Sequence, residues 1–218
     1  MKKINKFLEI TKAAASGILG VLSTYFFEKY LDEGRGKELW VTITIAVVLF
    51  IVVSFSNYFI ANIIDKSQWL RKKMLGKDFL EGIWMQKIAP RSLTEKPIDY
   101  HRISVLYEKG FYKITGESYN KKGEYIASFQ SYSSKYENHI LEYPFTVATT
   151  ENNTEKKIYG TSKLTFSPAD RLPDKYIGTV CSNLRKNPIY VIAKKLPKGK
   201  CIDLKTSEGR KDFEAFMN

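Results

Sequence analysis

The chain has 218 residues, with 35 Lys and Arg against 23 Asp and Glu, two His and two Cys. That length allows one domain of ordinary size with an appendage and excludes a large multidomain enzyme. The charge is uneven: of the net +12, only +2 falls in residues 1–64 and +10 in residues 65–218, so the mean hydropathy of −0.29 averages two unlike halves.

In chain order, the first element is the uncharged stretch from Ala13 to Phe27, read as a membrane helix. The preceding Lys2, Lys3 and Lys6 would also suit a secretory leader. No small-residue cleavage site precedes the loop Glu28–Glu38, however, and a second apolar stretch follows at once, so a helical hairpin is the more economical reading. That second stretch, Leu39 to Ile64, has 26 residues without a charge. At about 1.5 Å per residue it exceeds the roughly 30 Å hydrocarbon core of a bilayer. A buried soluble helix usually keeps a polar face, whereas Val47 to Val53 is apolar all round. Lys2, Lys3, Lys6 and Lys12 before the first span, and Lys66, Arg71, Lys72, Lys73 and Lys77 after the second, place both ends in the cytoplasm by the positive-inside rule. Ser16 and Gly20 have the spacing that lets helix backbones approach, within the hairpin or between subunits.

Residues 1–64 are thus expected to form a two-helix anchor and residues 65–76 a basic connector. In the connector, Trp69 and Arg71-Lys72-Lys73 suit the headgroup region. Residues 77–218 are rich in Tyr, Ile, Thr, Val and Phe with turn signals at short intervals, which predicts an antiparallel β domain. Eight strands are expected near 82–88, 99–107, 111–119, 124–132, 135–143, 157–166, 175–181 and 188–195. Turns fall at Lys109-Gly110, Asn120 to Gly123, Glu151-Asn152-Asn153-Thr154 and Pro168-Ala169-Asp170. Two-residue alternation is clearest at Tyr112, Ile114 and Gly116, and at Ile103, Val105 and Tyr107. Eight such strands can close into a barrel that is filled by side chains or holds one small ligand; a sandwich is the other arrangement the pattern allows. The tail Glu208–Met217 predicts a short terminal helix covering one barrel end.

No phosphate-binding loop, zinc-protease helix or nucleophile elbow is present, so no catalysis is expected. His101 and His139 are isolated, and Cys181 and Cys201 are read as reduced thiols, so neither a metal nor a resident cofactor is expected. A basic, tyrosine-rich domain remains. Aromatic faces stack on bases and guanidinium groups grip phosphates, which suits a nucleotide ligand, although tyrosine is also an ordinary strand residue. The residues chosen as ligand-binding candidates are Arg102, Tyr119, Tyr132, Tyr159 and Arg171, each a gripping or stacking side chain near an expected strand end.

Two spans, a basic connector, then Glu81-Gly82-Ile83-Trp84 opening a tyrosine-rich eight-strand domain with the phrases GFYKITGESY and YIASFQSYS: this organisation resembles the SMODS-associated two-transmembrane, β-strand-rich effectors of bacterial CBASS anti-phage defence. The resemblance covers the whole chain. It implies a receptor in the bacterial inner membrane with its N-terminus and barrel in the cytoplasm. A partner nucleotidyltransferase makes a cyclic dinucleotide, such as cyclic di-UMP, and no DNA or RNA polymer is bound. Ligand binding drives homo-oligomerisation and disruption of the lipid bilayer, causing abortive-infection cell death. Gly-x-Trp also opens lipocalin-like barrels, so the alternative is a membrane-tethered carrier or scaffold for a small apolar ligand.

Overall fold

The structure is a computed structural model that describes residues 9–10, 13, 16–17, 20–21, 23–25, 28, 36–90, 92, 97–151, 154–167 and 172–218. The chain divides into two compact units, Met1–Leu75 and Gly76–Asn218.

In the first unit the described positions between residues 9 and 28 are helical, and the carbonyl of Gly20 accepts hydrogen bonds from the Ser23 and Thr24 hydroxyls at 2.8 and 2.9 Å. Helix α1, Gly36–Lys66, is continuous over 31 residues and contains the uncharged run. Its side chains are described along only part of its length, and counted over the described residues no helix is long and apolar enough to cross a membrane. The connector forms a helix of its own, α2, Gln68–Leu75. Ser67 starts it, its hydroxyl accepting from Leu70 N at 3.3 Å, as a cap does for an orphan N–H. Arg71 folds back to donate to the carbonyls of Ile64, at 3.0 Å, and Asp65, putting a cation on the negative end of α1. Lys73 lies 5.3 Å from the Trp69 ring centroid.

The second unit is an antiparallel β-barrel. Its strands are β1 Gly82–Ala89, β2 Asp99–Glu108, β3 Phe111–Asn120, β4 Tyr125–Ser131, β5 Lys135–Glu137, β6 Ile140–Glu151, β7 Thr154–Phe166, β8 Lys175–Ser182 and β9 Ile189–Lys195. The strands pair in the order β4-β3-β2-β1-β9-β8-β7-β6-β5, and a further β4–β6 pairing closes eight of them into a ring. A sandwich is thereby excluded.

The ninth strand corrects the expected strand 135–143, which is a hairpin: β5 pairs with the start of β6 through Glu137↔Ile140. Asn138 and His139 both have positive φ, 50° and 63°, the backbone of a two-residue reversing turn, here made without glycine. Beyond it β6 runs on to Glu151, through residues expected to be loop. Pro144 is tolerated because it falls in a gap on one side of the strand: β5 pairs with residues 140–142 and β4 with 145–148. Lys109-Gly110, at φ 50° and 90°, makes the expected β2–β3 turn. In the β3–β4 turn Asn120 Oδ1 accepts from the backbone N–H of Lys122 and Glu124 at 2.9 and 3.0 Å. Glu151↔Thr154 is the last pair of the β6–β7 hairpin; Asn152, Asn153 and the expected turn 168–170 lie outside the described residues.

One end of the ring is filled. Trp84 is fully buried, 5.4 Å from the Phe166 ring and 5.1 Å from Tyr176, and its indole N–H donates to the carbonyl of Leu80 at 2.9 Å. Tyr107, Tyr112 and Tyr136 complete the plug. The carboxylate of Glu81, only 2% exposed, accepts from the N–H of Tyr107 at 3.1 Å. Gly82 has φ +139°, and a Cβ there would stand 2.9 Å from Lys195 Cε, whose ammonium lies 5.4 Å from the Trp84 ring. The Gly-x-Trp pair therefore serves a bent strand start that lets a cation reach the indole.

The terminal helix α3, Ser207–Met217, is capped by Thr206, whose hydroxyl accepts from Gly209 N at 3.0 Å. It covers the barrel wall, not an end as expected. Phe213 and Met217, four residues apart on one helix face, pack on Met85, Tyr100 and Tyr119, outward residues of β1, β2 and β3. Glu214 fastens it, accepting from Lys87 Nζ at 2.5 Å and from the Tyr100 hydroxyl at 2.7 Å. Burial alone would raise the Glu214 carboxyl, but these two donors hold it below the usual carboxylate range.

Trp84→Ala is expected to cost about 3–5 kcal/mol, the range for deleting a buried large aromatic. Urea unfolding followed by circular dichroism reads it, and a loss below about 1 kcal/mol would show that the plug does not hold the barrel.

Candidate functional site: the open end of the barrel

Strand parity decides what faces inward. Across β1–β2 the pairs Trp84↔Ile103 and Gln86↔His101 share a face, and Met85↔Arg102 and Lys87↔Tyr100 share the other. The inward series continues through Gly116↔Phe129 and Phe145↔Gly160. Above the aromatic plug these residues leave a cavity of about 480 Å³. Its walls are mainly apolar, from Ile88, Phe129, Phe145, Val147, Ile158 and Val180, with Gln86, His101, Asp99 and Arg185 as its principal polar groups.

Two cross-strand pairs make room for the phenylalanines. A Cβ on Gly116 would stand 2.2 Å from the Phe129 ring, and one on Gly160 would stand 2.4 Å from the Phe145 ring and 2.3 Å from the Cys181 carbonyl. Each ring therefore lies across a glycine of the neighbouring strand, and the two rings meet edge to face at 6.3 Å. At the floor, the Tyr176 hydroxyl donates to Gln86 Oε1 at 2.6 Å and Gln86 Nε2 meets His101 Nδ1 at 3.1 Å. Burial lowers the His101 pKa to about 3, so the imidazole is neutral. Tyr143, on the wall, is pushed up to about 12 by burial, partly offset by the Ser162 hydroxyl.

Asp99 and Arg185 line the cavity from the ends of β2 and the β8–β9 loop. Burial raises the Asp99 carboxyl, opposed by the charges of Arg185 and Lys121. Asn183 anchors the loop that carries Arg185: its N–H donates to the Tyr159 carbonyl at 3.0 Å and its Oδ1 accepts from Tyr159 N at 3.2 Å.

The sequence candidates lie elsewhere. Arg102 and Tyr132 line a separate groove of about 820 Å³ on the outer face of the sheet, with Glu117 and Gln130. Gln130 Nε2 donates to the Tyr132 hydroxyl at 3.0 Å. Tyr119 is outward too, but buried beneath α3, its hydroxyl donating to Glu117 at 2.7 Å; burial first, then that bond, pushes it up to about 12. The Tyr159 ring is exposed on the outside, and its backbone rather than its phenol serves the cavity, by holding Asn183. Arg171 lies outside the described residues. The structure thus brings Arg102 and Tyr132 together on the outer wall and none of the four described candidates into the cavity.

The interior residues that sequence reasoning passed over had a signal. The two-residue step through Tyr107, Val105 and Ile103 extends to His101 and Asp99, and it puts Arg102 on the opposite face. Both cysteines are exposed thiols, and among the described residues no group of three or more His, Cys, Asp and Glu is placed to hold a metal ion.

In the unfolded chain His101 takes up a proton near its ordinary 6.5, and in the barrel only near about 3. Between those values the unfolded form binds more protons, so this group's contribution falls as pH drops through that window. Glu214, held low, adds a loss of the same sign on acidification, whereas Asp99, held high, opposes it. Urea midpoints at about pH 7 and about pH 4.5 should show a smaller acid loss in His101→Phe than in the unaltered chain; equal losses would show that His101 is not a buried neutral base. No family model, no curated protein and no solved structure matches the chain.

Proposed function

We propose that this chain is a membrane-anchored receptor, not an enzyme, that takes a cyclic dinucleotide into the open end of its barrel. The observation that carries the reading is the cavity: a closed ring of strands, plugged at one end, leaves at the other a space of about 480 Å³ with aromatic rings in its wall and an arginine in its lining. Phe129, Phe145 and Tyr143 offer faces for a base, and Arg185 offers a guanidinium for a phosphate. That its activator is cyclic di-UMP, made by a partner nucleotidyltransferase, and that the bound chains assemble and disrupt the bacterial inner membrane in CBASS defence, rests on the resemblance in organisation. Tethering would raise the effective concentration of such subunits, and a ligand that prefers the assembled form would shift the population toward it.

The anchor rests on the uncharged run Leu39–Ile64, which lies wholly within the continuous helix α1. At about 1.5 Å per residue the run extends about 39 Å, more than the roughly 30 Å core of a bilayer. Val48 and Phe50, about 200° apart around the helix, are both exposed, so its described apolar surface is not confined to one face. Lys66, Arg71, Lys72 and Lys73 follow directly, as expected on the cytoplasmic side.

A second reading is supported by the lining itself. Apolar side chains predominate and Asp99 opposes Arg185, which favours a small apolar ligand held as a carrier would hold it. Salt separates the two. Titration calorimetry of the full chain in detergent micelles, with cyclic di-UMP at low and high salt, is expected to show binding that weakens as salt screens the phosphates, and that falls roughly tenfold in Arg185→Glu. Salt-independent uptake of an apolar probe with no nucleotide binding would replace the first reading by the second. The full chain is further expected to stay with membranes through a high-salt and alkaline wash; release into the supernatant would remove the anchor.

A further inference from the structure

The polar groups at the cavity floor form a hydrogen-bonded chain whose direction is fixed. The Tyr176–Gln86 contact of 2.6 Å has the length of an O–H···O bond and is short for N–H···O, so the amide oxygen faces the tyrosine. The amide nitrogen therefore faces His101 Nδ1, at 3.1 Å. An amide N–H₂ only donates, so Nδ1 accepts, and a neutral imidazole that accepts at Nδ1 carries its hydrogen on Nε2. Burial keeps the ring neutral. No described residue is hydrogen-bonded to Nε2, and the ring lines the cavity, 5.3 Å from that of Phe129.

We propose that His101 Nε2–H is the donor that reads a carbonyl oxygen on the ring of the bound ligand, and that Gln86 and Tyr176 are positioning residues that keep the hydrogen on that nitrogen. The inference rests on the reading of the cavity as a nucleotide site and adds the class of base it accepts. A base that presents a keto oxygen at the floor completes the chain. One with an exocyclic amino group in its place sets two donors against each other in a buried site, which costs more than the missing bond. Ser118, across the β2–β3 pair from His101, also lines the cavity and adds a hydroxyl able to face either kind of group. Selectivity therefore rests on His101.

The chain has two histidines, so ¹⁵N-histidine spectra of the full protein in micelles contain two rings, and His101→Phe assigns them. The expected result is a neutral His101 with hydrogen on Nε2. In parallel, the full chain is titrated with cyclic di-UMP and cyclic di-CMP, which differ on each base by a carbonyl against an amino group and, beside it, by a ring N–H against a ring nitrogen acceptor. Cyclic di-UMP is expected to bind at least about tenfold more tightly. His101→Phe should abolish the preference, and Tyr176→Phe should shrink it by letting the amide turn over.

Hydrogen on Nδ1 overturns the proposal whichever ligand binds; where His101→Phe does not fold, His139→Asn at the β5–β6 turn assigns the two rings instead. Equal affinities of the unaltered chain for the two compounds overturn it as well, as does a preference that survives in His101→Phe. If neither compound binds although His101 carries its hydrogen on Nε2, the nucleotide reading fails and takes the base with it, while the donor assignment stands.

Discussion

The pairing of β4 with β6 is the constraint on which the rest of the second unit depends. Without it, the strands would form an open sheet with two edges, each exposing unpaired backbone groups. With it, every second residue of eight strands is turned toward a common interior, and the size of those side chains decides what is solid and what is hollow. Closure passes over β5. That short strand lies beside the start of β6, where β4 has already turned away. Two serines serve the β3 backbone in that region: Ser131 and Ser134 accept from the N–H groups of Ile114 and Tyr112 at 2.9 and 2.8 Å.

The interior is divided by side-chain volume. Toward the plugged end, Trp84, Phe166, Tyr176, Tyr107 and Tyr112 fill the cross-section, and the Trp84 indole and Tyr112 hydroxyl donate to the carbonyls of Leu80 and Asp78, before β1. On the cavity side Gly116 and Gly160 face inward, and the phenylalanines opposite them lie flat across the wall. The same parity that concentrates rings at one end thus thins the lining at the other. Between the two zones stands the Tyr176–Gln86–His101 chain, a polar layer with every link to Nδ1 satisfied. Its energetic logic is that of any buried network: complete bonding orients its members.

The outside of the barrel has its own division. Over β1, β2 and β3 the outward face is apolar enough to be covered by α3, and the Lys87–Glu214–Tyr100 bonds lock the helix in place. Beside it, Arg102, Glu117, Gln130 and Tyr132 leave a polar groove. A site on that groove and a site in the cavity would present different chemistry, the first with charged and amide side chains in its lining, the second mostly apolar.

Much of this was legible in the residues. Tyr, Ile, Val and Thr in short alternating runs, punctuated by Lys109-Gly110 and Asn120–Gly123, determined antiparallel strands, and Phe213 and Phe216, three apart in the tail, pointed to a terminal helix. Those features depend on local backbone preference and on which face of an element is apolar, both of which are written in nearest-neighbour order. Three things were decided only by the tertiary structure. Asn138-His139 reverses the chain because β5 finds β6 to pair with, although no glycine marks the turn. The terminal helix lies on the wall because Met85, Tyr100 and Tyr119, from three strands, converge there. And the lining of the cavity draws on all eight strands of the ring and on the β8–β9 loop, so Phe129, Phe145, His101 and Arg185 become neighbours only once the ring closes. Alternation along one strand tells which residues share a face, but the pairing of distant strands decides what that face surrounds.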